Sequence, residues 1–428
     1  MNLNSKDKET YWQERAEQRF INAENLTEDM LRNLKTTYEQ SIKSIQKEIN
    51  AFYGKYSTET GLDITEVRKR LDKSELKEFK KQLALYYDEV KRLGGYSPDT
   101  KQYLRELSAK AYISRLEELQ ANIRWEVENL YRQQQLRLFE VLGKGYEDTY
   151  YRANFDVQQG IGFAYSFTAL NTKAVQKAVT QKWQGSNFSE RIWTDKVKLI
   201  DTLNQTIPQG IALGQNPRKV ARTIAKTMET KFSNAERLAR TEMNHICNDA
   251  TRDAYKETPE VLQQYKVIAT LDNRTSEICQ NQDNKVYKMS EWEEGVTAPP
   301  FHPRCRTTTV PYFADVDLSD YTRLATDYSK GGSAYYVPAN MSYREWRASL
   351  TEKQDKAFIS DKKAREQYKD DVKQVREYRK LANKAEKMGY GDLVKGIDFK
   401  TKSFQQIKYF EPEKYEILKN NMKTIRNL

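Results

Sequence analysis

The sequence predicts a mainly α-helical protein with one small β unit, in an α+β arrangement. We expect a long helical N-terminal arm, a central domain of helices and short strands, and a helical C-terminal tail. Of the 428 residues, 31% are charged and 38% are hydrophobic, a balance that suits long helices with narrow buried stripes better than one large core. Apolar residues recur three or four positions apart over long stretches. β-branched and aromatic residues concentrate in short runs between Tyr265 and Phe313.

Residues 1–155 predict the helical arm. Pro98 is the only proline in this stretch, and no glycine lies between Gly95 and Gly143. Two apolar stripes have helical spacing: Leu76, Phe79, Leu83, Tyr87 and Val90, then Tyr112, Leu116, Leu119, Ile123, Val127 and Leu130. Because the Gly94–Pro98 run breaks helices, two long helices should fold back there as a hairpin. The stripes favour packing within the arm, with docking onto the helices of a partner as the alternative.

Residues 156–313 predict a central domain that starts with shorter helices. Asn216 and Pro217 form a helix start signal, and Asn234 can cap a following helix. That helix contains the triplet Arg240–Glu242. Since Arg and Glu two positions apart do not share a helix face, the triplet favours structural contacts over an acid–base pair.

The second half of this domain predicts three short strands, at Tyr265–Thr270, Val286–Tyr287 and Arg306–Pro311. Turn signals separate the first two strands. In the second turn, Asn284 can adopt the left-handed backbone conformation that glycine usually supplies.

Cys279, His302 and Cys305, here called the Cys/His cluster, are a candidate metal site within the β unit. Thiolate and imidazole are ligands that Zn²⁺ prefers, but a structural zinc takes four, and only Asp272 or His245 is a candidate for the fourth. The ligand count therefore favours a metal-free cluster in which His302 is hydrogen-bonded, with a structural zinc as the alternative. In both cases we expect the three side chains to lie together and to close a segment that has little hydrophobic content.

The sequence predicts a protein that is not an enzyme. It contains no Walker loop, no G-x-S-x-G elbow, no H-E-x-x-H helix and no dinucleotide fingerprint. A thiol triad can be drawn from Cys279, His302 and Asp272, but nothing in the sequence supplies an oxyanion hole or activates the thiol.

After Phe313 the composition becomes more polar. Residues 314–340 predict a linker, and residues 341–428 predict a helical basic tail. Within it, residues 361–387 hold ten Lys or Arg against six Asp or Glu. Such mixed charge is typical of a solvated helix face, with contact to DNA as the alternative.

Net charge and cysteine usage limit the environment of the chain. Lys and Arg exceed Asp and Glu by 72 − 61 = 11, which favours anionic partners and nucleic acid above all. Three cysteines do not make a disulfide framework and favour a reducing compartment. No window resembles a signal peptide or a membrane span, so we expect no membrane anchor.

The central motifs resemble a known signature. The D-N-R-T run at Asp272–Thr275, then Cys279, then P-P-F-H-P-R-C-R at Pro299–Arg306 are similar to the signature of the phage head-morphogenesis (Mu F-like) family of minor capsid proteins. The resemblance covers about residues 156–313. The residues that match the family motif are Arg240, Thr241, Glu242, Asp272, Arg274, Thr275, Pro300, His302, Pro303, Cys305 and Arg306. Ser276 stands where many members have a cysteine, and Asn284 where they have the turn glycine.

The resemblance implies a non-enzymatic minor head protein that acts in head morphogenesis. It would associate with the portal protein and with capsid or scaffold components, and would be packaged inside the phage head. The virion is then its final location, after assembly in the host cytoplasm. Weak non-specific DNA binding and a role in DNA delivery fit the basic balance. Two alternatives remain: a zinc-dependent nuclease or DNA-processing protein using Asp272 with the Cys/His cluster, and a cytosolic helical scaffold unrelated to phage.

Overall fold

The computed structural model describes residues 11–60, 115–162, 164–212, 217–313, 322–387, 416–417 and 419–421. The fold is mainly helical with small antiparallel sheets, as predicted. The helices are α1 (Tyr11–Thr60), α2 (Arg115–Ile161), α3 (Thr172–Thr180), α4 (Phe188–Ala212), α5 (Pro217–Tyr255), α6 (Glu277–Gln282), α7 (Tyr343–Ser349) and α8 (Glu352–Lys387). The strands are β1 (Gln264–Ile268), β2 (Val286–Lys288), β3 (Thr308–Tyr312), β4 (Thr322–Asp327) and β5 (Ser333–Pro338).

The described residues fold as two compact units. The first takes residues up to 269, together with 277–323 and 338–340. The second takes residues 270–276, 324–337 and those from 341 onward.

In the first unit, helices α1 and α2 run antiparallel. The Tyr38 hydroxyl donates to Gln134 Oε1 at 3.0 Å, and the Asn122 amide donates to Glu48 Oε2 at 2.9 Å. Residue numbers increase along α1 as those of the contacting residues on α2 decrease, which is the pairing expected of a helical hairpin. The predicted stripe at Leu76–Val90 and the breaker at Gly94–Pro98 lie outside the described residues.

The stripe on α2 packs into a core shared by helices α1 to α5. Four residues of the stripe are buried: Leu119, Ile123, Val127 and Leu130. They belong to one apolar cluster with residues of the other helices. The predicted boundary between residues 155 and 156 therefore falls inside α2, and the described part of the arm shares its core with the central helices. A two-helix hairpin buries little apolar surface by itself, so its stripes gain stability by packing on further helices.

Helix α5 is one continuous helix, where the sequence predicted two. Asn234 was expected to cap the second helix, but it lies within α5 and its amide group donates to Asp195 Oδ1 at 3.4 Å. No glycine or proline interrupts the helix after Pro217, and Met228 and Ala235 are both buried. Continuous core contact thus outweighs the capping preference of asparagine. The predicted cap Asn216 lies outside the described residues.

The three predicted strands form one antiparallel sheet in the order β2-β1-β3. In the register, Tyr265 pairs with Tyr287 on one side and with Pro311 on the other. Asn284 has a φ of 62°, which confirms the left-handed turn before β2. Trp12 of α1 and Val157 of α2 pack into the apolar cluster of this sheet, so the sheet and these helix ends share one core.

The second unit contains a hairpin where the sequence predicted a linker. Within residues 314–340, β4 and β5 form a two-stranded sheet, and their turn uses Gly331 and Gly332 at φ values of 70° and 84°. Trp346 of α7 and Phe358 of α8 are buried in a small core with β4 and β5 residues. The Gly-Gly run that indicated a linker is therefore the turn of a hairpin. None of the helices described is long and apolar enough to cross a membrane.

Candidate functional site

Glu242 of α5 carries a buried ion pair with α4. Its Oε2 accepts a hydrogen bond from Trp183 Nε1 at 2.9 Å, and its Oε1 pairs with the Arg191 guanidinium. Arg191 also donates to the Trp183 carbonyl at 2.7 Å and stacks over the Trp183 ring at 4.4 Å. Every polar atom of the Glu242 carboxylate is thus engaged, so this residue fastens the segment before α4 to α5.

Arg240 and Thr241 attach the same turn of α5 to two other elements. Arg240 bonds Glu24 Oε1 of α1 at 3.3 Å and also pairs with Glu28. Thr241 Oγ1 accepts a hydrogen bond from the backbone N–H of Arg304 at 3.0 Å. Three consecutive residues therefore contact three different neighbours, because adjacent helix positions point about 100° apart.

His245, one turn after Thr241, is held away from the Cys/His cluster. Its ring stacks on Trp183 with centroids 4.4 Å apart, and its Nδ1 lies 3.1 Å from Glu294 Oε2. The side chain is 4% exposed. Among the described residues it does not belong to the group whose ligand atoms converge, so it does not supply a fourth metal ligand.

The structure brings Cys279, His302 and Cys305 together. Cys279 Sγ lies 3.2 Å from His302 Nε2 and 3.7 Å from Cys305 Sγ, and all three ligand atoms lie within 4.8 Å of one another. Both thiols are buried and His302 is partly exposed. The hydrogen bond from Cys279 holds the pKa of Cys305 well below its usual range, against the effect of burial. The hydrogen bond to Cys305 raises the pKa of His302.

Local backbone geometry makes this convergence possible. Cys279 lies on α6, a helix of six residues that the sequence did not predict. His302 and Cys305 lie on one turn, which bends because Arg304 adopts a φ of 61°. That conformation is uncommon for a residue other than glycine, and the hydrogen bond from Arg304 N–H to Thr241 holds it.

The D-N-R-T run builds a turn of the second unit. Asp272 Oδ1 accepts hydrogen bonds from Arg274 N–H at 2.9 Å and from Thr275 Oγ1 at 3.0 Å. The Asp272 carboxylate closes its own turn, and Pro303 O takes the His302 Nδ1 bond at 2.9 Å. A backbone carbonyl therefore orients the imidazole, where a thiol triad of Cys279, His302 and Asp272 would use the carboxylate.

Asn273 is the residue of this turn with the most connections inside the second unit. Its side-chain amide donates to Asp361 Oδ2 at 2.8 Å and to Phe358 O at 3.3 Å. Its Oδ1 accepts from the Tyr328 hydroxyl at 2.6 Å and also from Arg365. The turn is thereby fixed to β4 and α8.

Sequence reasoning missed the most buried ion pair among the described residues. Arg323 Nη1 lies 2.9 Å from Asp283 Oδ2, and Nη2 lies 3.0 Å from Oδ1, while Nη2 also donates to Ala269 O. The Arg323 and Asp283 side chains are 3% and 0% exposed. The sequence places Asp283 beside Asn284 in the turn before β2, and 40 positions separate it from Arg323, so no local pattern links the two.

Arg240, Thr241 and Glu242 thus make structural contacts within the first unit, and Asp272 closes a turn of the second. Comparison with known proteins agrees with the resemblance to the head-morphogenesis signature. Residues 201–310 match the model of the family described as Phage Mu protein F like protein. The minor head protein GP7 of Bacillus phage SPP1 is 27% identical over 311 residues, which are 69% of this chain and 94% of that protein. Together with the signature, these matches support an assignment to the phage head-morphogenesis (Mu F-like) family and a role in head morphogenesis.

The name of a second relative states an enzymatic activity. The NAD(+)–arginine ADP-ribosyltransferase EFV of Enterococcus faecalis (strain ATCC 700802 / V583) is 26% identical over 198 residues. That match covers 42% of this chain and 41% of that protein, so it does not carry the activity over. No solved structure matches the chain.

Proposed function

We propose that this chain is a minor head protein that associates with the portal, is packaged inside the phage head and acts in its assembly without catalysing a reaction. The alignment with the minor head protein GP7 carries the proposal, because it spans 94% of that protein. The signature supports it, since Arg240, Thr241, Glu242 and Asp272 serve internal contacts. In this proposal the chain folds in the host cytoplasm and is found in the virion.

The test of this proposal uses the full chain in a phage background. A phage that lacks the gene is complemented with the wild-type chain, heads are purified, and the chain and portal protein are quantified by mass spectrometry. We expect the chain in heads, and we expect it to co-purify with the portal before assembly is complete. A cytosolic protein of similar net charge, expressed at the same level, controls for trapping. Equal amounts of that control and of the chain in heads would refute specific packaging.

Deletion of residues 1–155 is not a usable test of portal binding. Helices α1 and α2 supply much of the core of the first unit, so the truncated chain would lose packing together with any binding surface. Loss of co-purification after that deletion would therefore not distinguish the two causes.

We further propose that helix α8 contacts packaged DNA. Lys362, Lys369 and Lys373 are exposed and lie at spacings of seven and four positions, which places them on one helix face. Tyr368, beside them, is 71% exposed. The chain has a surplus of 11 positive charges, and phosphate neutralisation by such a face gives binding without sequence preference. Bound DNA would then link the chain to a role in DNA delivery.

Salt dependence and charge reversal test this contact. Affinity for duplex DNA should fall steeply as salt rises, because counterion release drives the binding. The triple variant K362E/K369E/K373E should bind more weakly and with a smaller salt slope. K173E/K198E/K219E makes the same change in net charge at exposed lysines of α3, α4 and α5. Equal weakening by both triples would show an effect of net charge alone, and affinity that is flat with salt would refute the proposal.

A direct assay of DNA cleavage distinguishes the nuclease alternative from the proposed non-enzymatic role. Purified chain is incubated with duplex DNA and added divalent metal, and the DNA is examined for cleavage. We expect intact DNA, because among the described residues no carboxylate joins the Cys/His cluster to activate a metal-bound water or to bind a catalytic Mg²⁺. Cleavage that the Cys279→Ser variant loses would overturn the non-enzymatic assignment.

A further inference from the structure

The Cys/His cluster has the dimensions of a metal site. A tetrahedral zinc with sulfur at about 2.3 Å and nitrogen at about 2.0 Å places two sulfur ligands about 3.8 Å apart, and sulfur and nitrogen about 3.5 Å apart. The Cys279 and Cys305 sulfurs are 3.7 Å apart, and Cys279 Sγ lies 3.2 Å from His302 Nε2. The three ligand atoms, which all lie within 4.8 Å of one another, are therefore close to the spacing that a tetrahedral zinc ion requires.

The imidazole is oriented as a metal ligand. His302 Nδ1 lies 2.9 Å from the Pro303 carbonyl oxygen, and because that oxygen can only accept, Nδ1 carries the proton. The lone pair of the neutral ring is then on Nε2, the atom that faces the two sulfurs. A backbone carbonyl that fixes the ring in this way is the usual outer contact of a histidine ligand.

The backbone around the cluster is also held in an unusual shape. Arg304, between the histidine and the second cysteine, takes a φ of 61° although it has a side chain. Its N–H is bonded to Thr241 of α5, so the turn is held from outside the cluster. Such conformations persist where surrounding contacts fix them, and they often position functional side chains.

We propose that Cys279, His302 and Cys305 bind one Zn²⁺ ion, with a solvent molecule in the fourth position. The two cysteines bind as thiolates, and their protons pass to solvent. Among the described residues only these three form such a group, which leaves one coordination position for water. The metal joins helix α6 to the turn at residues 302–305 and so fastens the β unit. This site does not depend on the proposed role in the phage head.

Elemental analysis of the full chain, purified without chelator or added metal, tests the site. We expect about one zinc per chain, as for a single site. Cys279→Ser and Cys305→Ser should lose it. Cys247→Ser is the matched control, because Cys247 is the third free cysteine and bonds with Thr149 at 3.3 Å outside the cluster. Equal zinc content in the Cys279 and Cys247 variants would overturn the proposal, as would wild-type protein without zinc after incubation with the ion.

Two further measurements test the site even if the Cys279→Ser and Cys305→Ser variants fail to fold. His302→Cys should keep zinc, because cysteine and histidine are both zinc ligands, whereas His302→Ala should bind it far more weakly. Cobalt added to the metal-free wild-type chain should give the sulfur-to-metal charge-transfer and visible bands of a tetrahedral thiolate site. Octahedral cobalt spectra, or equal zinc content in the two His302 variants, would refute coordination by this cluster.

Discussion

The Asp283–Arg323 pair gives the largest expected effect of a single substitution in the first unit. Arg323→Met removes a bidentate partner from a carboxylate that is 0% exposed, while a hydrogen bond from Ala269 N–H at 2.8 Å remains. Breaking a buried pair from one side leaves an uncompensated charge and typically costs about 3–5 kcal/mol. Methionine keeps much of the volume of arginine, so the loss of charge dominates over a cavity.

A double-mutant cycle separates charge from packing. Asp283→Asn removes the charge but keeps the shape of the side chain, so the double variant R323M/D283N should be at least about 1 kcal/mol more stable than R323M. Free energies of unfolding are measured by urea denaturation with far-UV circular dichroism and tryptophan fluorescence as two probes. If the two probes give the same transition, unfolding is two-state and the free energies of the variants can be compared.

Arg32→Met is the control for this cycle. Arg32 pairs with Asp29 on the surface of α1, where the two side chains are 76% and 65% exposed. Exposed pairs contribute only about 0–1 kcal/mol, so this variant should unfold almost as the wild type does. If R323M costs no more than R32M, or if the double variant is no more stable than R323M, the burial argument is wrong.

Three further predictions use the same denaturation assay. Gly160→Ala puts a methyl group 2.1 Å from Trp12 Cζ2 and should cost about 1–3 kcal/mol, whereas Gly143→Ala, whose nearest atom would be 3.4 Å away, should be neutral or stabilise α2 by up to about 1 kcal/mol. Glu242→Ala leaves a buried indole N–H and a guanidinium without their acceptor, and should cost about 3 kcal/mol. Asn273→Ala removes the amide that fixes its turn and should destabilise the second unit by about 1–3 kcal/mol.

Each of these has an outcome that contradicts it. Equal stability of the two glycine variants would show that Trp12 can move aside at no cost. Glu140→Ala, in an exposed pair with Lys144 on α2, is the control for Glu242→Ala, and similar losses in both would remove the case for a buried carboxylate. An Asn273→Ala chain that unfolds as the wild type does would show that the turn holds without its amide.

The residues that local patterns describe were predicted well. The three strands of the sheet, the left-handed Asn284 and the helical stripe from Leu119 to Leu130 all follow from side-chain chemistry at short range. The convergence of the Cys/His cluster was also expected, since a rare set of residues surrounds a segment with little apolar content. Local conformational preference was therefore sufficient to predict an element wherever the tertiary contacts favoured the same conformation.

Other features depend on partners that are far away in the chain. Asn234 reads locally as a cap, but core contact on both sides keeps α5 continuous. The Gly331–Gly332 run indicates a linker and is instead the turn of a hairpin, whose strands pack on Trp346. The roles of Trp183 and Asp283 depend on partners 59 and 40 positions away, and no local pattern in a single sequence indicates such pairs.

The order of synthesis has a consequence for helix α1. The bond between Glu24 and Arg240 joins positions 216 residues apart. At roughly 5–20 residues per second, the ribosome needs roughly 10–40 s to make α5 after α1. During that time the buried apolar residues of α1 have no α5 to cover them, whereas the charge of Asp283 waits only for the 40 positions that separate it from Arg323. High contact order of this kind slows folding, so the nascent chain, more than the finished protein, is the state that is exposed to aggregation and to chaperones.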